Sequence, residues 1–181
     1  MAVVGSAAAA DDRQPRQPVA QLAVLRGELG GVAVVVNGVV GPRGDGYVAG
    51  ELMSAAEAAA YHAPQLTAFA AAGADMASAV TMTYADEASG IVDAAQAAGL
   101  PVAISFTVET DGRLPSGQPL RAAIEQVDAA TDAAAAYFMV NCAHPTHFAD
   151  VLREDGAWRE RIQGVRANAS RMSHAELDEA E

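Results

Sequence analysis

The chain has 181 residues, of which 51% are hydrophobic and 19% charged, a composition typical of a globular domain and too apolar for a disordered chain. The formal net charge of −12 argues against nucleic acid and anionic membranes as partners, because both require clustered Lys and Arg. No apolar run approaches the roughly 20 residues of a membrane span. The single cysteine, Cys142, permits no intrachain disulfide, so we expect a reducing, cytoplasmic location.

The beginning of the chain differs in composition from the rest. Residues 1–18 combine an alanine run with two acids and two prolines and show no amphipathic period, so we predict a flexible Ala/Pro-rich tail. Apolar residues then recur at helical spacing over 19–29. The sequence therefore predicts a tail at 1–18 followed by one domain at 19–181.

A strand, a glycine-rich loop and a helix follow in that order. The β-branched run from Val32 to Val36 is typical of a strand buried on both faces. Residues 37–50 carry five glycines and are predicted to form a loop. Ser54 with Glu57 has the pattern of a capping box, and the helix that it opens is predicted to run to about Ala72.

The same unit repeats to the end of the chain. Further strands are predicted at 75–81, 102–108, 137–141 and 162–168, and further helices at 86–98, 118–131 and 145–153. Regular alternation with short connections predicts an α/β fold with about five parallel strands and flanking helices. The pattern allows either a doubly wound sheet or part of a barrel. No GxGxxG or Walker A motif supports a nucleotide-binding fold.

In both architectures, ligands bind at the carboxyl ends of the strands. Each predicted strand here ends in polar or reactive residues. We therefore predict that one residue from each strand end lies on the same face of the molecule: Gly41, Thr81, Thr107, Cys142 and Asn168.

Four of these strand-end segments carry a specific resemblance. The segments are GPRGDGY (41–47), ISFTVETDGRLPSGQPL (104–120), VNCAHP (140–145) and GVRANAS (164–170). These segments resemble the homocysteine S-methyltransferase family, and they occur in the order found in that family and at nearly its spacing. The resemblance implies an incomplete (β/α)8 TIM barrel, truncated at both ends.

The resemblance also implies a chemistry. Family members hold zinc through three cysteine thiolates, one in a VNC motif and two in a GGCC motif, and zinc supplies the homocysteine thiolate that accepts a methyl group. It follows that Cys142 is the zinc-ligand position and that a small-molecule thiol and a methyl donor are the partners. The candidate substrate-binding residues are Asn141, Asn168, Asp45 and Thr81, and no catalytic residue is assigned.

Three departures from the family pattern change the functional expectation. The GGCC motif is absent, the DGGMGT-type opening strand is absent, and Val80 stands where many members have a substrate-binding glutamate. We therefore expect that this chain does not bind zinc and is inactive alone. The alternatives are a non-catalytic remnant or partner-binding module, and a different enzyme on the same barrel with an altered pocket. Open barrel edges also predict self-association.

Several candidates keep a purely structural alternative. Cys142 could be a small buried hydrophobe instead of a ligand. His144 and His147 could supply nitrogen ligands, but His144-Pro145 also has the pattern of a helix start.

The charged loop residues also have both a functional and a structural interpretation. Arg43 and Asp45 could form a substrate-side loop or only a turn with a local ion pair. Glu109 and Asp111 could make a carboxylate pair, although Asp111-Gly112 is an ordinary turn signal. Asn168 could bind a ligand or cap a helix.

Overall fold

A single parallel sheet organises the protein. The computed structural model describes residues 3–4, 24, 27–28 and 33–179. Its strands pair in chain order, each parallel to the next, and they are β1 (Val3–Val4), β2 (Val35–Val40), β3 (Met76–Met82), β4 (Val102–Phe106), β5 (Tyr137–Asn141) and β6 (Ile162–Arg166).

Helices fill the connections between the strands. They are α1 (Ala55–Ala71), α2 (Ala85–Ala97), α3 (Leu120–Thr131), α4 (Pro145–Phe148) and α5 (His174–Asp178), with 3-10 turns at Val151–Arg153 and Ala157–Arg161. The predicted capping box at Ser54–Glu57 is present and begins α1, and a second capping box, Ser173–Glu176, begins α5. No helix in the described part of the chain is long and apolar enough to cross a membrane.

The strand order favours one of the two α/β architectures. A doubly wound sheet reverses its strand order at a switch point, where its helices change face. Here the order β1-β2-β3-β4-β5-β6 never reverses. A sequential order of parallel strands is the arrangement of a (β/α)8 barrel. The predicted α/β class with five parallel strands and flanking helices is confirmed, and the short β1 lies beside them.

The core lies between the sheet and its helices. Every residue of β4 is buried, as expected for a strand covered on both faces. The rings of Phe106 and Phe138 stack with their centroids 6.1 Å apart. Alanines bring the helices close together: a Cβ on Gly90 of α2 would overlap the backbone of α1 at Ala55. This close approach fixes the position of α1 and α2 relative to each other.

The predicted loop at 37–50 was wrong over its first residues, because β2 continues through Val40. Asn37 and Gly38, counted in the predicted loop, lie inside the strand. Asn37 bonds Ser78 on β3, with Asn37 Nδ2 2.9 Å from Ser78 Oγ. A Cβ on Gly38 would overlap the ring of Phe69. Glycine is therefore needed there for helix packing and not for a turn.

Other predicted boundaries also moved. The predicted helix at 145–153 is wrong as one element, since α4 ends at Phe148 and a separate 3-10 turn follows. The strands predicted at 102–108 and 162–168 end earlier, at Phe106 and Arg166. Val3–Val4, inside the predicted tail, pairs with β2. The rest of 1–18 and most of the predicted helix at 19–29 lie outside the described residues, so the tail-and-domain division stays a prediction.

Candidate functional site

The carboxyl ends of the strands meet at one edge of the sheet. Because β2 to β6 are all parallel, the residues that end or follow them share that edge, as predicted for Gly41, Thr81, Thr107, Cys142 and Asn168. Of the predicted site residues, Thr81, Asn141 and Cys142 are in direct contact. These three residues are the centre of the candidate site.

Asn141, the last residue of β5, uses its whole side chain within the protein. Its Oδ1 accepts hydrogen bonds from Thr81 N at 2.9 Å and from the Ser105 hydroxyl. Its Nδ2 donates to Thr81 Oγ1 at 2.8 Å and to Cys142 Sγ at 3.1 Å. A neutral amide has two donor hydrogens and two acceptor lone pairs, and all four are used. These bonds position Thr81 and Cys142, and the predicted role of Asn141 in substrate binding stays a prediction.

The backbone around this amide is strained. Thr81 has φ +61° at an irregular pairing between β3 and β4, and Cys142 has φ +54°. Positive φ is unfavourable for any residue with a Cβ and most unfavourable for a β-branched one. The Asn141 hydrogen bonds to Thr81 and to the Cys142 thiol stabilise these conformations. The result is a half-buried thiol held in one orientation at the sheet edge.

The loop after β2 and helix α5 cover this thiol. The ring of Tyr47 packs on the imidazole of His174 with centroids 4.2 Å apart. His174 lies between Glu109 and Cys142, with Nδ1 2.8 Å from Glu109 Oε1 and Nε2 2.7 Å from the Cys142 carbonyl oxygen. A Cβ on Gly46 would lie 2.9 Å from Thr81 Cγ2, so the loop touches the strand end directly.

The Tyr47 hydroxyl provides a spectroscopic test of this cover. Burial raises its pKa from 10.0 to about 12, and the hydrogen bond and charge of Cys142 and the charges of Asp178 and Asp45 act in the same direction. A raised acid pKa means that folding favours the neutral phenol. The stability that it contributes is therefore complete below pH 10 and is lost as the pH rises towards 12.

We expect the alkaline titration of tyrosinate absorbance to contain a late component that Tyr47→Phe removes. The control is the unfolded chain, in which this component should move back to the ordinary tyrosine range. If Tyr47→Phe removed absorbance only in the ordinary tyrosine range and left the late component at its full size, the cover over Cys142 would not form.

The side chains near Cys142 do not fit a zinc centre. Zinc sites in proteins use at least three protein ligands, and Cys142 is the only cysteine of the sequence. His174 has no free nitrogen, because Nε2 donates to a carbonyl and Nδ1 faces Glu109. No group of three or more His, Cys, Asp or Glu within the described ranges could hold a metal ion.

The remaining predicted residues lie further from the thiol. Asp45 is exposed, and its carboxylate accepts the Tyr47 N–H at 2.7 Å. Asn168, just after β6, donates its backbone N–H to the Ala143 carbonyl at 3.0 Å. Asp111 accepts the Arg113 N–H at 3.0 Å, a local turn bond, whereas Glu109 pairs with His174.

The two histidines that follow Cys142 have structural contacts. His144 Nδ1 accepts the N–H of Thr146 at 3.2 Å, and Pro145 occupies the first turn of α4, as the helix-start interpretation predicts. His147 Nε2 lies 2.9 Å from the carbonyl oxygen of Arg171. Arg43 donates its backbone N–H to Glu87 and its guanidinium to the Glu51 carbonyl.

Sequence reasoning missed Tyr47, His174, Glu87 and His62. Tyr47 is the last residue of the GPRGDGY segment, which was the one available signal for it. His174 is 32 residues from Cys142 and 65 from Glu109, and His62 is 25 from Glu87. No sequence pattern indicates contacts at such separations.

The sequence model of the family named homocysteine S-methyltransferase matches residues 2–180. The chain belongs to the homocysteine S-methyltransferase family. No curated protein sequence matches it, so its relatives are found through family and structure.

Solved structures of MmuM, a homocysteine methyltransferase from Escherichia coli, share the fold. The metallated form is 20% identical with a TM-score of 0.61, covering 87% of this chain and 64% of that one. The apo form is 19% identical with a TM-score of 0.62, covering 95% and 76%. This family member therefore spans about two thirds of the metallated MmuM chain. Identity at this level establishes the fold alone.

Proposed function

We propose that this family member forms the Cys142 part of a site for methyl transfer to a small-molecule thiol of the homocysteine class. The observation that supports it best is the position of Cys142. It lies at the carboxyl end of a parallel strand, in the VNC segment, with its sulfur oriented by Asn141. Barrel enzymes place their reactive groups at this end of the sheet.

We further propose that the chain does not transfer methyl groups by itself. In the intact family, zinc would supply the thiolate from the bound substrate, and it would need ligands besides Cys142. The side chains in contact with the Cys142 sulfur, Asn141 and Thr81, are neutral hydrogen-bonding groups, and both nitrogens of His174 are already engaged. No step through zinc follows from this donor set.

The substrate contacts of this chain are part of the same proposal. Val80 is half-buried and apolar, so it offers no charge to a substrate amino group. Thr107 Oγ1 is buried at the strand ends without a hydrogen-bond partner, and the Asn168 side chain is half-buried beside β6. We assign substrate binding to Asn141, Asn168, Thr81 and Asp45, and to Asn141 also the positioning of the thiol.

Metal analysis and a methyl-transfer assay test the proposal together. We expect the purified chain to hold well under one zinc per molecule after dialysis, and to form no methionine from homocysteine with S-methylmethionine or betaine. Cys142→Ser is the matched control and should give the same two results. One zinc per chain, lost in C142S, or turnover above the C142S background would contradict the proposal.

An exposed strand edge favours one alternative function, a partner-binding module. β6 has a neighbour on one side only among the described strands, and Val165 on it is 49% exposed. An open parallel edge offers unpaired N–H and C=O groups to another chain. Light scattering of the purified chain and of its Val165→Lys variant tests this alternative.

A further inference from the structure

We propose that Glu87 is a positioning residue that fastens the loop of residues 41–53 over the Cys142 thiol. The inference rests on the proposed function only in taking that thiol as the centre of the site. Glu87 lies on α2 and its carboxylate is fully buried, an unusual place for an acidic side chain. The proposal explains what this carboxylate does there.

The first end of the loop is held by Glu87 itself. Its Oε1 accepts the backbone N–H of Arg43 at 2.7 Å and lies 3.0 Å from Nε2 of His62 on α1. Since the donor is a backbone N–H, the bond fixes the path of the loop and not a mobile side chain.

The second end is held by Tyr84, at the start of α2. The backbone N–H of Met53 donates to the Tyr84 hydroxyl at 3.0 Å, and Met53 is itself buried. Burial raises the pKa of Tyr84, and the neighbouring Glu87 carboxylate acts in the same direction. Glu87, His62 and Tyr84 therefore form one buried anchor for both ends of the loop.

The middle of the loop spans the site. Gly46 contacts Thr81, and Tyr47 packs on His174, whose Nε2 lies 2.7 Å from the Cys142 carbonyl oxygen. A displacement of either loop end would move Tyr47 away from the thiol. The anchor thus acts on Cys142 through the loop without touching it.

The anchor leaves buried polar atoms without hydrogen-bond partners, which costs desolvation free energy. Glu87 Oε2 and His62 Nδ1 are both buried and have no hydrogen-bond partner. Such groups are rare in native proteins, since a smaller or apolar side chain would fill the space without the desolvation cost. A role in holding the loop accounts for a carboxylate at this position, whereas helix packing alone does not.

The single cysteine makes the proposal measurable. The thiolate of Cys142 attacks the aromatic disulfide reagent DTNB, forming a mixed disulfide and releasing one coloured thiolate per chain. We expect Glu87→Gln to accelerate this reaction about tenfold. A tenfold change corresponds to a loss of ~1.4 kcal/mol in the free energy that holds the loop closed over the thiol. Tyr84→Phe keeps the ring and loses only the acceptor for Met53, and it should accelerate the reaction about threefold, roughly 0.65 kcal/mol on the same scale.

Two controls separate fastening from a general loosening of the fold. Glu125→Gln changes an exposed carboxylate on α3 and should leave the rate unchanged. Tyr47→Ala should raise the rate directly, and Glu87→Gln added to it should give no further increase, because both changes remove the same cover.

A rate for E87Q within twofold of the parent, or one that adds fully to that of Y47A, would overturn the proposal. Should E87Q not fold, Y84F decides alone, and an unchanged rate would then overturn it. The measurement needs no methyl transfer, so its outcome is independent of the proposed activity.

Discussion

The purified chain is expected to associate, with a light-scattering mass of at least twice its 18.5 kDa that falls on dilution. The reason is the edge at β6, where Val165 is 49% exposed and Met172, which follows the strand, is 41% exposed. A parallel edge with exposed apolar residues pairs readily with another chain. A barrel avoids this only by closing.

Val165→Lys tests the surface responsible. Charged side chains on edge strands oppose pairing, so we expect V165K to weaken association by about tenfold or more. Val48→Lys is the matched control, since Val48 is 64% exposed and lies in the loop over the site, not on β6. Association should persist in V48K.

A monodisperse parent with a sharp thermal transition would contradict the prediction. It would show that the chain is a self-sufficient domain and remove the argument for a partner-binding role. Weakening by V48K but not V165K would instead place the contact at the loop.

Asn141→Ala is expected to have the largest effect of any single substitution at the site, lowering the free energy of unfolding by about 3 kcal/mol. The change removes the acceptor for Thr81 N and Ser105 Oγ and the donor to Thr81 Oγ1 and Cys142 Sγ. It also releases the strained backbone at Thr81, whose φ of +61° those bonds maintain.

Urea unfolding at low protein concentration measures this change. Asn37→Ala is the control, because Asn37 is also buried in the sheet but, among the described residues, its side chain bonds Ser78 alone. Asn37→Ala should lower the free energy of unfolding by about 1 kcal/mol. A cost for N141A no larger than that for N37A would mean that the Asn141 network does not stabilise the strand ends.

Local chemistry made much of the fold predictable. Val102–Phe106 is a strand because its apolar run is buried on both faces, and Ser54 begins α1 because its side chain accepts the Glu57 N–H. Both signals are contained within a few consecutive residues. Boundaries were less predictable where a residue has a tertiary role, as at Gly38, where the space left by Phe69 decides.

For the site, the sequence by itself determined the family resemblance, the strand ends that carry polar residues and the fact that a single thiol is available. Only the tertiary structure decided what surrounds that thiol. The contacts of Cys142 with Thr81 and His174, and of Glu87 with Arg43 and His62, join residues 25 to 61 positions apart. Such contacts depend on the register of neighbouring strands and the docking of helices and loops on them, which no local pattern of residues encodes.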